Sequence, residues 1–168
     1  MLKPDKVRQV IERANPYLVR DPEKLQVFLE GGSIACRGSA SLSYEYRYTL
    51  SVIVQDYPHH ADQLILPLLA LLRTEQRELF ENPERAAKLI RFDAEVLSSS
   101  QVDLALQVDL TERVLVKQDA GGVLTLEHVG EPPHPQFPEQ QYEMTVIYRR
   151  DGQELGRYTV PAWEPRFG

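Results

Sequence analysis

Residues 42–55 read LSYEYRYTLSVIVQ, and this stretch alternates apolar and polar side chains almost throughout. Because successive side chains of a β-strand point to opposite faces of a sheet, the period of two predicts one long, half-buried strand. Its apolar face carries Tyr44, Tyr46, Tyr48, Leu50, Val52 and Val54. We interpret the tyrosine row as part of the sheet core; the alternative is an exposed row of aromatic residues at an interface.

Two stretches further along the chain repeat this pattern. Residues 90–97 and 102–111 alternate on either side of three consecutive serines, which predicts an antiparallel hairpin. The second strand is expected to continue to residue 116, and a further strand follows the Gly121-Gly122 turn. The predicted strands of the main sheet are therefore residues 42–55, 89–97, 102–116 and 123–129.

The region before residue 42 contributes a helix and shorter strands. Residues 4–14 open with a proline and space their apolar side chains at helical intervals until Asn15-Pro16 ends the helix. Residues 25–29 predict a strand, and Gly31-Gly32 predicts a turn before a second short strand at 33–36.

A second helix is predicted over residues 61–80, and its first half is apolar on nearly every side. Such a helix must be covered on more than one side, and Pro67 within it predicts a bend. The expected fold class is therefore α+β, an antiparallel or mixed sheet covered by two main helices.

The C-terminal quarter differs in composition from this core. Four of the 12 prolines lie between Pro132 and Pro138, a density typical of an extended connector. Asp151-Gly152 then predicts a β-hairpin with Arg149 opposite Glu154 and Tyr148 opposite Leu155. The predicted domain organisation is a core at 1–131, a connector at 132–141, a C-terminal hairpin arm at 142–161 and a tail at 162–168.

Charge and composition exclude several classes of function. The net charge is −6, from 19 basic and 25 acidic residues, and no basic block offers the counterion release on which nucleic-acid binding depends. Cys36 is the single cysteine, so neither a disulfide framework nor a cysteine-rich zinc site is expected. No apolar run reaches the ~20 residues of a membrane-spanning helix, and no secretory signal is visible, which predicts a cytoplasmic protein.

The residues whose side chains could bind a metal or act in catalysis are scattered along the chain. His59 and His60, with Asp56 and Asp62, have the residue types of a zinc or manganese site, and the alternative is that they lead into the second helix. Cys36 is either a nucleophile, if a histidine lies beside it in space, or a small hydrophobe in a strand. The carboxylates of the alternating strands fit a solvated or subunit-facing sheet surface better than a catalytic pair. We therefore predict no catalytic residues, no metal and no cofactor.

Several short stretches, in collinear order over residues 1 to 133, resemble the tail completion protein R family of contractile-tailed temperate phages. They are MLKPD (1–5), GSIA (32–35), LSYE (42–45), RYTL (47–50), VIV (52–54) before Asp56-Tyr57, Pro67 with LLR (71–73), LTER (110–113) and EPP (131–133). The resemblance implies a non-enzymatic virion protein with a tail-terminator-like fold. It also implies a homohexameric ring that caps the tail tube and makes the tail competent for head joining.

The partners that the resemblance implies are other copies of the chain, tail tube and sheath proteins, and the neck proteins between head and tail. The implied location is the host cytoplasm during assembly and then the head-proximal end of the tail. The resemblance and the polar strand positions together give the candidate interface residues Glu45, Arg47, Arg73, Glu112 and Arg113. The alternatives are a neck or baseplate adaptor and a small metal-dependent hydrolase that uses His59, His60 and Asp56.

Overall fold

The computed structural model describes residues 1–38, 41–98, 101–132 and 143–161. A five-stranded antiparallel sheet forms its centre, with the strand order β1-β2-β4-β3 and with β5 also paired to β4. The strands are β1 Leu25–Cys36, β2 Tyr44–Tyr57, β3 Ile90–Ser98, β4 Gln101–Gln118 and β5 Leu124–Val129. The helices are α1 Lys3–Ala14, α2 Pro16–Arg20, α3 Asp62–Glu75, α4 Arg77–Phe80 and α5 Pro83–Ala86, with a 3₁₀ turn at Pro22–Lys24.

The alternating pattern of the sequence fixes which side chains are buried. The inner face of the sheet holds the apolar side chains of β2 and β4, which pack with α1 and α3. Leu50, Leu106 and Leu68 are among the fully buried side chains. Tyr48 is buried as well, whereas Tyr44 and Tyr46 are half-buried, so the tyrosine row belongs to the inner face. The predicted α+β class is confirmed. The side of the sheet that does not face α1 and α3 is called the outer face below.

The long strand β4 is paired by two different strands along one edge. Residues 101–108 of β4 pair with β3, and residues 113–118 pair with β5. Between these segments, the side chain of Gln76 takes the place of a strand, because its Oε1 accepts the Thr111 amide at 3.0 Å and its Nε2 donates to Thr111 Oγ1 at 2.7 Å. Gln76 is fully buried, and it ties the end of α3 to the sheet.

The predicted turn at Gly31-Gly32 is wrong, because β1 runs unbroken from Leu25 to Cys36. A register shift between Leu29 and Gly31 absorbs one extra residue, and pairing with β2 continues beyond it. A Cβ on Gly32 would lie 2.6 Å from the carbonyl oxygen of Arg47. The glycine is therefore explained by the close approach of β2 and not by a turn.

The second predicted helix, 61–80, is divided into α3 and α4. Gln76 has φ −144° and ψ 41°, a non-helical conformation. Helix α3 therefore ends at Glu75, and the Gln76 side chain reaches the sheet. Pro67 lies inside α3 and is buried. The Asn82 side chain accepts the amides of Glu84 and Arg85 and so starts the short helix α5.

The C-terminal hairpin consists of β6 Glu143–Arg150 and β7 Gln153–Pro161. The predicted pairing of Arg149 with Glu154 is confirmed, but a register shift places Tyr148 opposite Gly156 instead of Leu155. Asp151 and Gly152 both have positive φ, as a two-residue hairpin turn requires. Strand β7 lies against α1 and α3. Most of the predicted connector and the whole tail lie outside the described residues.

In the part of the chain that the structure describes, no helix is both long and apolar enough to cross a membrane.

Candidate interaction surface

The outer face of the sheet forms a groove of about 890 Å³, called the outer groove below. The sheet curls around it, and Gln107 on β4 donates a 2.9 Å hydrogen bond to Glu30 on β1 across the intervening strand. Helices α4 and α5 contribute Glu78, Leu79 and Arg85 to the rim. The charged residues that line the groove are Arg37, Glu45, Arg47, Glu78, Arg85, Asp109 and Arg113.

Among the described residues, two of the three acidic side chains that line the outer groove already have cationic partners. Glu45 accepts from Arg47 at 2.6 Å. Asp109 accepts two hydrogen bonds from Arg91, at 2.7 and 3.0 Å, and one from Thr49 at 2.8 Å. The Arg91 hydrogen bonds hold the pKa of Asp109 below its ordinary value, and the same contact raises the pKa of Arg91. Both carboxylates are therefore already occupied by partners within the chain.

Of the four described arginines that line the outer groove, three have no such ion pair. Arg37, Arg85 and Arg113 have no carboxylate ion-pair partner among the described residues. Arg113 lies directly opposite Glu45 in the β2–β4 register, but Glu45 bonds to Arg47 instead. The groove thus presents guanidinium groups with unused hydrogen-bond donors, on a chain whose net charge is −6.

Glu112 lies on the inner face, where it holds the N-terminal segment. Its side chain is only 5% exposed, and it accepts from the amides of Leu2 and Lys3 at 2.8 and 3.1 Å and from the Tyr48 hydroxyl. Burial opposes ionisation, but these hydrogen bonds outweigh it and keep the pKa of Glu112 below its ordinary value. Burial and the contact with Glu112 raise the pKa of Tyr48.

A second set of polar contacts extends this attachment. The Lys3 ammonium donates to Gln76 Oε1 at 3.0 Å, to Glu131 at 2.8 Å and to the Glu75 carbonyl. Lys3 is 6% exposed and is therefore a buried cation compensated by several acceptors. The start of α1, the end of α3 and residue 131 are joined at this point.

The structure thus separates the five predicted interface residues. Glu45, Arg47 and Arg113 lie together in the outer groove. Arg73 lies on α3, where burial lowers its pKa. The expectation that Glu112 is an exposed surface charge is wrong, because Glu112 has the same strand parity as Leu110 and so points inward. That parity was readable in the sequence, whereas the approach of α4 and α5 to the groove was not.

The hypothetical metal ligands do not converge in the described residues. His60 Nδ1 lies 3.1 Å from Asp62, while Asp56 pairs with Lys24 at 3.3 Å. No group of three or more histidine, cysteine, aspartate or glutamate side chains suited to a metal occurs in the described ranges. Cys36 is exposed at the end of β1.

Comparison with known proteins identifies the class. Residues 1–132 match the family model described as P2 phage tail completion protein R (GpR). The chain is also 40% identical, over 146 residues, to tail completion protein R of Escherichia phage P2, a match that covers 87% of this chain and 94% of that protein. No solved structure matches.

These matches define the class as structural proteins of bacteriophage tails and not enzymes. The chain belongs to the P2 phage tail completion protein R family. The resemblance seen in the sequence is confirmed, and the chain has a structural role in phage tail completion. The hydrolase alternative is set aside because the family is structural.

Proposed function

We propose that this protein completes the tail as a ring on the head-proximal end of the tail tube and makes that end competent for joining a head. Assembly takes place in the host cytoplasm, before the tail becomes part of the virion. Membership of the tail completion family supports a structural role, and the outer groove supplies a surface for a protein partner.

The observation that carries the proposal is the charge distribution in the outer groove. Its arginines without ion-pair partners among the described residues, Arg37, Arg85 and Arg113, have hydrogen-bond donors available for carboxylates of another copy of the chain or of a tail tube, sheath or neck protein. Arg47 and Glu45 are exposed enough to exchange their mutual ion pair for contacts to a partner. Such a polar surface also keeps the chain soluble before assembly.

The other two candidate residues have different parts in this proposal. Arg73, on α3, belongs to the opposite side of the sheet and contributes to a second contact surface. Glu112 acts indirectly, because its hydrogen bonds to Leu2 and Lys3 fix the N-terminal segment against the sheet. A terminator needs two surfaces, one for the tube and one for the neck, and the two sides of the sheet provide them.

The test of the groove is the double reversal Arg47→Glu/Arg113→Glu. We expect a folded protein that no longer complements a phage lacking its own tail completion protein, measured as infectivity. The matched control is Arg20→Glu/Lys117→Glu, which changes net charge equally at two exposed positions outside the groove lining. Wild-type complementation by the groove variant would refute the groove as the partner surface.

The position on the virion is tested by immuno-electron microscopy of tails assembled with an epitope on the exposed Asp119–Gly122 turn. Label at the head-proximal tip of isolated tails is expected. Label at the baseplate, or on the neck of complete virions with bare isolated tails, would replace this proposal by the adaptor function.

We also propose that the hairpin is an arm separable from the core at 1–131, joined through the connector at 132–141. Its strand β7 lies against α1 and α3 of the same chain, on the side of the sheet away from the outer groove. Removal of residues 136–161 should weaken self-association or partner binding more than it destabilises the core. If the truncated chain loses the core fold, as measured by circular dichroism and limited proteolysis, the hairpin is an integral part of the domain.

A further inference from the structure

Strands β1 and β3, at the two ends of the strand order β1-β2-β4-β3, expose apolar side chains that the described part of the chain does not cover. On β3, Phe92 is 66% and Val96 is 76% exposed, and on β1 Ile34 is 64% exposed. Each of these strands pairs on one side only within the described residues. An edge strand that carries large apolar side chains is a template for pairing with another strand.

The strand directions favour another copy of this chain as the partner. Each adjacent pair along β1-β2-β4-β3 is antiparallel, so the two outer strands run in opposite directions. When a second copy is placed beside the first in the same orientation, its β1 meets β3 of the first copy in an antiparallel arrangement. The sheet then continues from copy to copy with every inner face on the same side.

The charges on these edges are complementary as well. Asp93 and Glu95 on β3 are exposed and have no ion-pair partner among the described residues. Arg37, at the end of β1, also lacks one, and it lies on the outer side with the groove. An antiparallel register that sets Val96 opposite Ile34 also sets Asp93 opposite Arg37 and Ala94 opposite Cys36. Apolar residues then meet on the inner face, and opposite charges meet on the outer face.

We propose that copies of this chain assemble head to tail by pairing β3 of one copy with β1 of the next, in the register Val96–Ile34, Ala94–Cys36 and Asp93–Arg37. This interface is heterologous, so repeated pairing gives a ring if the rotation closes and a filament if it does not. The inference rests on the proposed ring and specifies the surfaces that join its subunits.

The native Cys36 allows a direct test. In Ala94→Cys, each subunit carries one thiol on each edge, and the proposed register brings them to directly opposite positions, within reach of a disulfide. Mild oxidation of the assembled protein should give a ladder of trimers and larger species on non-reducing gels. Wild type, which has Cys36 alone, and Cys36→Ser/Ala94→Cys should give monomers and no more than traces of dimer.

Light scattering on the same samples separates the two possible failures. Self-association without a ladder would overturn the edge pairing and leave the ring proposal standing. Abundant dimers in a single-cysteine control would also overturn it, because they indicate symmetric contacts between identical edges. Absence of self-association, both in isolation and in assembled tails, would overturn the ring and the edge pairing together.

The charge pair provides an independent test by exchange. Asp93→Arg alone should weaken self-association about tenfold, because it places two cations opposite each other, and adding Arg37→Asp should restore it. The control Arg20→Glu, in α2, should leave self-association unchanged. If Asp93→Arg and Arg37→Asp each weaken self-association equally and the double variant does not recover it, the proposed register is overturned.

Discussion

Glu112 and Arg113 are adjacent in the chain, yet they belong to different environments. The glutamate lies on the inner face, 5% exposed and hydrogen-bonded to the backbone of the N-terminal segment, while the arginine is exposed in the outer groove. A one-residue step along a strand moves a side chain from the core to a potential contact surface. The Glu112 carboxylate on the inner face maintains the fold, whereas Arg113 on the outer face has no ion-pair partner among the described residues.

The largest effect on stability is expected in the apolar core, where α3 packs on the inner face of the sheet. Leu68→Ala and Leu106→Ala each remove a buried side chain, 0% and 1% exposed, and should lower the free energy of unfolding by roughly 2–5 kcal/mol. Thermal and urea unfolding measure this loss. The control Leu126→Ala, on β5, removes a side chain that is 60% exposed and should cost well under half as much. Equal losses at all three positions would contradict the assignment of the core.

Removal of the inner-face carboxylate should have the next largest effect. Glu112→Ala leaves the amides of Leu2 and Lys3 and the Tyr48 hydroxyl without their acceptor, at a cost of roughly 2–3 kcal/mol. Urea unfolding at neutral pH measures the loss. Glu127→Ala removes an exposed carboxylate that is paired only with Lys117, and it should be nearly neutral. Comparable losses in the two variants would contradict the role of Glu112.

The same carboxylate makes stability depend on pH in a defined direction. Because the folded protein holds the pKa of Glu112 below its ordinary value of 4.5, ionised Glu112 stabilises the fold fully above that value. The stabilisation is lost as the pH falls through the lowered pKa. When the pH is lowered from 5 to 3, the free energy of unfolding of Glu112→Gln should therefore fall by less than that of wild type. A constant difference between the two proteins across that range would exclude Glu112 as the titrating group.

The sequence alone predicts most of the side chains on the inner face of the sheet, but little of the outer groove. The alternation from Leu42 to Val54 and from Val102 to Leu110 determines the faces of two strands, because side-chain direction is a local property. The groove also depends on α4, α5 and the curl of the sheet, which are tertiary features. The turn predicted at Gly31-Gly32 is wrong for the same reason, since the contact that requires Gly32 comes from the paired strand β2 and forms only in the folded sheet.

Gln76 shows a further limit of sequence reasoning. A glutamine in the middle of a predicted helix signals nothing by itself, yet its side chain occupies the interval between β3 and β5. Gln76→Ala should cost roughly 1–2 kcal/mol, because the Thr111 amide loses its acceptor. Gln63→Ala, at a buried glutamine whose side chain has no such hydrogen bond among those described, serves as the control in thermal unfolding. An equal or larger loss in the control would show that side-chain volume, and not the bridge, accounts for the effect.

The smallest effect on stability is expected for the Glu45–Arg47 ion pair in the outer groove, the proposed contact surface. The Glu45–Arg47 pair is short at 2.6 Å, but Arg47 is 63% exposed, so water and salt compete for both groups. Glu45→Gln should therefore change the free energy of unfolding by less than about 1 kcal/mol, and by still less in 1 M salt. If infectivity complementation falls while unfolding is unchanged, the outer groove is a contact surface whose charges the fold itself does not need. A loss of stability comparable to that of Glu112→Ala would instead make the pair part of the scaffold, and would remove the distinction between the two faces.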